Sequence, residues 1–190
     1  MKNHLLIFAK YPEPGRVKTR LARQIGFEKA ARLYQTMVET VVQKTAPRNG
    51  DYRRFLYFDP PERKGDFQQW FPFLQMQPQR EGDLGDRMTS AIRESLESAA
   101  ERVIVIGSDC MEIDGVLIEG AFFRLDQADV VVGPATDGGY YLIGMKKLYD
   151  LFTDIPWSTD RVFDETIRRA NEFNLRVAVL PTLSDIDEIP

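Results

Sequence analysis

Five positive charges fall between Lys10 and Arg23 of a chain whose formal net charge is −4. They belong to the segment AKYPEPGRVKTRLARQ, residues 9–24, and are Lys10, Arg16, Lys18, Arg20 and Arg23, opposed only by Glu13. The segment follows an apolar run and precedes a helical pattern. A Pro-Gly loop with cations at a strand end suits a polyphosphate: backbone can approach closely at Gly15 and the side chains offset the charge. A solvated basic loop is the plainer alternative. The spacing is not that of a P-loop, and no G-x-G-x-x-G dinucleotide fingerprint is present here.

A second group of candidate residues lies in VIVIGSDC, residues 103–110. Asp109 falls just past a β-branched run. A carboxylate there, beside a phosphate site, suits Mg²⁺ or Mn²⁺, because hard cations take oxygen ligands and bridge phosphates. An Asp that merely caps the next turn is equally compatible. Cys110 has no obvious histidine partner and reads as a small packed turn residue. In GPATDGGYYLIG, residues 133–144, Gly138 and Gly139 follow Asp137 and allow tight backbone beside a ligand. Asp137 and Tyr140 could hydrogen-bond sugar hydroxyls, or the segment could be a hairpin turn. Asp185 and Asp187 share one face if extended, and one of them could complete a metal site with Asp109. A solvated acidic tail would look the same. In EGDLGDRM, residues 81–88, Asp83 is a candidate N-cap that could also meet the base. Trp157 reads mainly as a packing residue, with Ser158 as the N-cap of a following helix.

The elements that must position these residues alternate. Apolar runs predict strands over 5–10, 53–58, 73–77, 103–106, 129–132, 140–145 and 176–180. Period-3.6 stripes predict helices over 26–44, 62–70, 84–100, 116–125 and 159–173. Phe27, Ala31, Tyr34, Met37, Val38, Val41 and Val42 form the first stripe, and Leu84, Met88, Ile92 and Leu96 another. Strand–helix alternation predicts a mostly parallel sheet covered on both faces, with the run 103–106 central and ligands beyond the carboxyl ends of the strands. The 190 residues fit one domain, with no dividing linker and no internal repeat.

Composition excludes several classes. The acidic balance argues against nucleic-acid binding. A single Cys precludes an intramolecular disulfide framework and suits the reducing cytoplasm. No run approaches the ~20 apolar residues of a membrane span, and none forms a signal-peptide core. The sole histidine, His4, sits at the extreme N-terminus, which disfavours Ser-His-Asp and Cys-His catalysis.

Taken in order, FAKYPEPGRVKTRLA, GDLGDRM, GSDC, PATDGGYYLIG, WST..VF..T and DID resemble the nucleotide-diphospho-sugar transferase superfamily of glycosyltransferase-A type. Within it the chain looks like a bacterial family of uncharacterised small glycosyltransferase-like proteins. The resemblance implies an α/β fold, a three-layer α/β/α sandwich with a mixed, mainly parallel sheet. It implies phosphate contacts from Lys10, Gly15, Arg16, Lys18 and Arg20, with Asp83 beside the nucleotide and a metal at Asp109 and Asp187. Asp137, Gly138, Gly139 and Tyr140 would face the sugar or acceptor, and Asp137 and Lys18 would be the catalytic residues. The expected activity is metal-dependent sugar transfer from a nucleoside diphosphate to a small-molecule acceptor. The alternatives are a nucleotidyltransferase that uses a nucleoside triphosphate and releases pyrophosphate, or a nucleotide-binding regulator without turnover. The resembled proteins often carry Pro after GSDC, where this chain has Met111.

Overall fold

A computed structural model describes residues 2–184. The strands are β1 (Asn3–Lys10), β2 (Arg53–Asp59), β3 (Gln75–Pro78), β4 (Arg102–Ile106), β5 (Val130–Pro134), β6 (Tyr140–Met145) and β7 (Val177–Val179). The helices are α1 (Thr19–Ile25), α2 (Phe27–Lys44), α3 (Lys64–Trp70), α4 (Leu84–Glu97), α5 (Gly115–Arg124) and α6 (Val162–Glu172). The strands form one sheet in the order β3-β2-β1-β4-β6-β5-β7. Among the described strands only β6 runs antiparallel to its neighbours, β4 and β5.

The sheet is apolar on both faces because both are covered. Along β1 the side chains alternate: Leu5, Ile7 and Ala9 enter one core with α2, α3 and α5, whereas Leu6 and Phe8 enter the other with α4 and α6. This is the expected three-layer sandwich, with β4 in the middle of the sheet. In α2, Tyr34, Met37, Val38, Val41 and Val42 are buried as the stripe predicts.

Some details differ from the sequence reading. The basic segment is not all loop: its second half is α1, so Arg20 and Arg23 project from a helix. The two helices meet at Gly26, which has φ 89°, and this turn separates them. Phe27 and Leu84 are exposed rather than core, since each is the first residue of its helix. Ser158 is not the N-cap of α6, because the chain continues through Arg161 before the helix begins. Trp157 does pack, against Phe152 and Tyr140. His4 lies at the opposite end of β1 from the loops discussed below, buried and hydrogen-bonded to Ser95. Burial, aided by the charges of Arg53 and the N-terminus, lowers its pKa.

Candidate active site

Beyond Ile7 and Ile106 the pairing of β1 with β4 ends. From there the two chains run apart. The chain leaves β1 for α1 and α2 and then β2, on one side of β1. After β4 it bends toward β6, where Gly107 N donates to the Tyr141 carbonyl at 3.4 Å. Strand order thus reverses between β1 and β4. Such a switch point opens a crevice at the carboxyl ends of the strands, where α/β sheets bind their ligands.

The crevice receives charge from both sides. Lys10 ends β1 and is exposed. Gly15, at φ 83°, turns the exposed loop that carries Arg16, whose guanidinium lies 3.5 Å from Glu13. Lys18 then adopts a left-handed conformation, φ 45° and ψ 47°, at the start of α1. A non-glycine residue there is strained, a cost of order 1 kcal/mol. Its ammonium reaches across the crevice and donates to Asp109 Oδ2 at 3.2 Å. The Lys18 side chain is only 6% exposed, against 39% for Asp109. The carboxylate therefore keeps an open side toward solvent while one oxygen is held by the lysine.

Two residues that the sequence reading treated only as packing, or left aside, build the floor. Tyr34, on α2, accepts a hydrogen bond from Lys10 N at 3.0 Å and shares another with Ser108 Oγ at 2.8 Å. Both Tyr34 and Ser108 are buried. Burial, with the Asp109 charge, outweighs these bonds and the Lys18 charge and pushes the Tyr34 phenol above its ordinary pKa, so it stays protonated. A third cluster lies where β2 and β3 end. Gln79 donates to the Tyr57 carbonyl at 2.9 Å, and Arg87 donates to Gln79 Oε1 at 3.3 Å and to the Gly82 carbonyl at 3.1 Å. Arg87 also pairs with Asp59 at 3.4 Å. Arg87 thereby anchors the 81–83 turn. Asp83 is the exposed N-cap of α4 in a reciprocal capping box with Asp86. The signal for these residues was polarity at strand ends, which only the fold turns into proximity.

The 135–139 loop stands at the same edge, because antiparallel β6 pairs Leu142 with Ile106. Asp137 is exposed, and its Oδ1 accepts from Gly139 N at 2.9 Å. Gly138 has φ 87°, and a Cβ there would overlap the Asp160 carbonyl. Its own carbonyl accepts from Phe163 N at 2.9 Å. The glycine is thus required to clasp this loop to the start of α6. Tyr140 differs from the reading that set it toward a sugar. Its ring packs edge-on to Trp157 and its hydroxyl is enclosed, with no hydrogen bond within the ordinary distance. Burial pushes its pKa strongly upward.

The structure therefore brings Lys18 and Asp109 into contact at the switch point, with Lys10 and Arg16 on the segment that leads from β1 to Lys18 and Asp137 on a loop at the same edge of the sheet. Asp83 lies on the neighbouring turn held by Arg87, and Arg20 lies on the exposed side of α1. Asp185 and Asp187 fall outside the described residues. Cys110 is buried, as expected of a packed turn residue. Among the described residues no three His, Cys, Asp or Glu side chains gather as a metal site. No described helix is long and apolar enough to cross a membrane.

This sandwich with its switch-point crevice is the nucleotide-diphospho-sugar transferase fold. The chain belongs to the family described as "Uncharacterized protein conserved in bacteria" (DUF2064), whose model matches residues 41–159. Among solved structures, it is similar to a "putative nucleotide-diphospho-sugar transferase" from Desulfovibrio desulfuricans G20. That match has 34% identity and a TM-score of 0.91, covering 98% of this chain and 83% of that one. The fold is shared at greater distance with CMP:2-keto-3-deoxy-manno-octonic acid synthetase complexed with CTP. There the identity is 13% and the TM-score 0.61, with coverage of 99% and 94%. It is also shared with 4-diphosphocytidyl-2C-methyl-D-erythritol synthase from Anaerococcus prevotii DSM 20548, at 11% identity and TM-score 0.62, with coverage of 98% and 90%. A comparison with curated proteins found no match.

Proposed function

We propose that this chain transfers a sugar from a nucleoside diphosphate to a small-molecule acceptor. The observation that carries the reading is the crevice between β1 and β4, with Lys18 reaching across it to Asp109. The 34%-identical relative described above supports the same reading. In this arrangement Lys10, Arg16 and Lys18 bind the diphosphate and stabilise the charge that develops as it departs. Asp137, on the rim, faces the sugar or its acceptor and orients the reacting hydroxyl.

A divalent cation belongs to this proposal, and the donor set bears on how it would be held. Asp109 is the carboxylate that the described residues offer in the crevice, and it is partly engaged by Lys18. It suits Mg²⁺ or Mn²⁺ that arrives with phosphates, since these ions keep several waters and take substrate oxygens. When bound there, such a cation would neutralise phosphate charge. Asp109 would hold it, which would leave the Lys18 ammonium to pair with the phosphate.

The test is calorimetric titration of nucleoside diphosphates and nucleotide-sugars with and without Mn²⁺. Arg16→Ala should weaken binding about tenfold or more, the scale of one charge-assisted hydrogen bond, with thermal stability unchanged. Asp109→Ala should abolish any enhancement by Mn²⁺. Unchanged affinity in the first variant, or full enhancement in the second, would sink this account of the site. Product analysis then separates the chemistries: free nucleoside diphosphate means sugar transfer, pyrophosphate from a triphosphate means nucleotidyl transfer, and binding without turnover means a regulator.

A further inference from the structure

Where β4 turns away from β1, the Lys10 N–H loses the strand carbonyl that would have met it. Tyr34 supplies the replacement acceptor from the middle of α2. The same hydroxyl meets Ser108, the residue before Asp109. One buried oxygen therefore ties the start of the cationic loop to the start of the acidic turn, two segments almost a hundred positions apart in the chain. We propose that Tyr34 is a positioning residue of the diphosphate site, its hydroxyl setting the separation across which Lys18 and Asp109 act. This rests on the reading of the crevice given above.

The geometry explains why a tyrosine is needed. The ring lies in the core formed by α2 and the sheet, so its oxygen is aimed by packing rather than by a mobile side chain. The phenol stays protonated, so it can donate one bond while accepting another. Lys10 and Ser108 are each fixed through a single shared atom, and a change at that atom moves both sides of the crevice. Phenylalanine at this position would keep the ring and leave a part-buried backbone N–H and a buried hydroxyl each short of a partner. Tyr52 offers a matched comparison. It is equally buried and donates to the Thr45 carbonyl at 2.7 Å, but it stands just before β2, at the opposite end of the sheet.

The test uses inorganic pyrophosphate as the probe, titrated with and without Mn²⁺ into wild type, Tyr34→Phe, Ser108→Ala and Tyr52→Phe. Hydrogen–deuterium exchange is followed on the same ligand-free proteins. Tyr34→Phe should weaken pyrophosphate binding about fivefold or more, the scale of a lost hydrogen bond. Ser108→Ala should shift it in the same direction. Tyr52→Phe should lower thermal stability yet leave affinity within about twofold, since it loses a bond remote from the crevice. Exchange in Tyr34→Phe should rise together in residues 9–18 and 107–111, and in Tyr52→Phe in neither. Wild-type affinity in Tyr34→Phe, or an equal loss in Tyr52→Phe, overturns the proposal. A wild type that binds no pyrophosphate counts against the diphosphate reading itself. Exchange then decides on the tie alone: a joint rise upholds it, and a rise confined to one segment or absent from both refutes it.

Discussion

Lys18 combines a strained backbone, a buried stem and an ion pair across the crevice, whereas Arg16, two residues earlier, is exposed and pairs with nearby Glu13. The two cations thus differ in kind: the Arg16 guanidinium is open to solvent, whereas the Lys18 ammonium is buried against Asp109, and under the proposed function a phosphate would have to compete for it. Asp137 differs again. Its carboxylate is exposed on the rim and is held by the Gly139 amide rather than by a cation. Asp137→Asn keeps that acceptor oxygen but loses the negative charge. It should lower kcat by about a hundredfold, the range of general acid–base contributions, while nucleotide affinity changes by less than about threefold. Steady-state kinetics beside calorimetry reads the split. An equal loss in both would move Asp137 into the nucleotide's own contacts.

At the scale of elements, the rim depends on a close approach of backbones. The 135–139 loop is clasped to the start of α6 through Gly138, which leaves no room for a side chain. Gly138→Ala should cost about 2–4 kcal/mol, combining a positive φ with overlap on the Asp160 carbonyl. Urea unfolding measures this, and a loss below about 1 kcal/mol would show that the clasp yields easily. The turn at 81–83 is built differently, by the Asp83–Asp86 capping box and the Arg87 side chain. Its glycine, Gly82, takes a positive φ as well, but the turn is held by side-chain hydrogen bonds rather than by a close approach of two backbones.

For the whole molecule, the edge of the sheet away from β3 is fastened by Asp129 and Arg176. They sit just before β5 and β7, with guanidinium–carboxylate distances of 3.1 Å. Hydrogen bonds from Arg176 hold the Asp129 carboxyl down to about 2. A depressed carboxyl pKa contributes stability above the unfolded value of about 4, and that contribution is lost as pH falls toward the folded value. The pair is solvent-screened, so the effect is small. Asp129→Asn should therefore lower the urea midpoint at neutral pH, and the gap to wild type should narrow as the pH falls below about 4. A gap that stays constant into acid would mean that the carboxylate charge contributes nothing there.

Much of this was written in local patterns. The apolar runs 103–106 and 140–145 read as strands because burial on both faces demands them, and the stripe from Ala31 to Val42 read as a helix face for the same reason. The cationic segment and Asp109 were legible as chemistry because charge at strand ends is rare without a purpose. What the chain order could not specify was who meets whom. Phe27 and Leu84 matched their stripes yet lie at helix starts that overhang solvent. Tyr140 matched a sugar contact yet turns its hydroxyl into the interior. Tyr34 carried only the signal of a core position, since its polar partners come from two distant segments, Lys10 from the end of β1 and Ser108 from the turn after β4. The insertion of antiparallel β6 beside β4, which brings the Asp137 loop to the same edge of the sheet as Asp109, is likewise a matter of sheet order. Period and composition record how each segment is solvated; strand order and the pairing of distant loops follow from packing among segments, which only the tertiary structure decides.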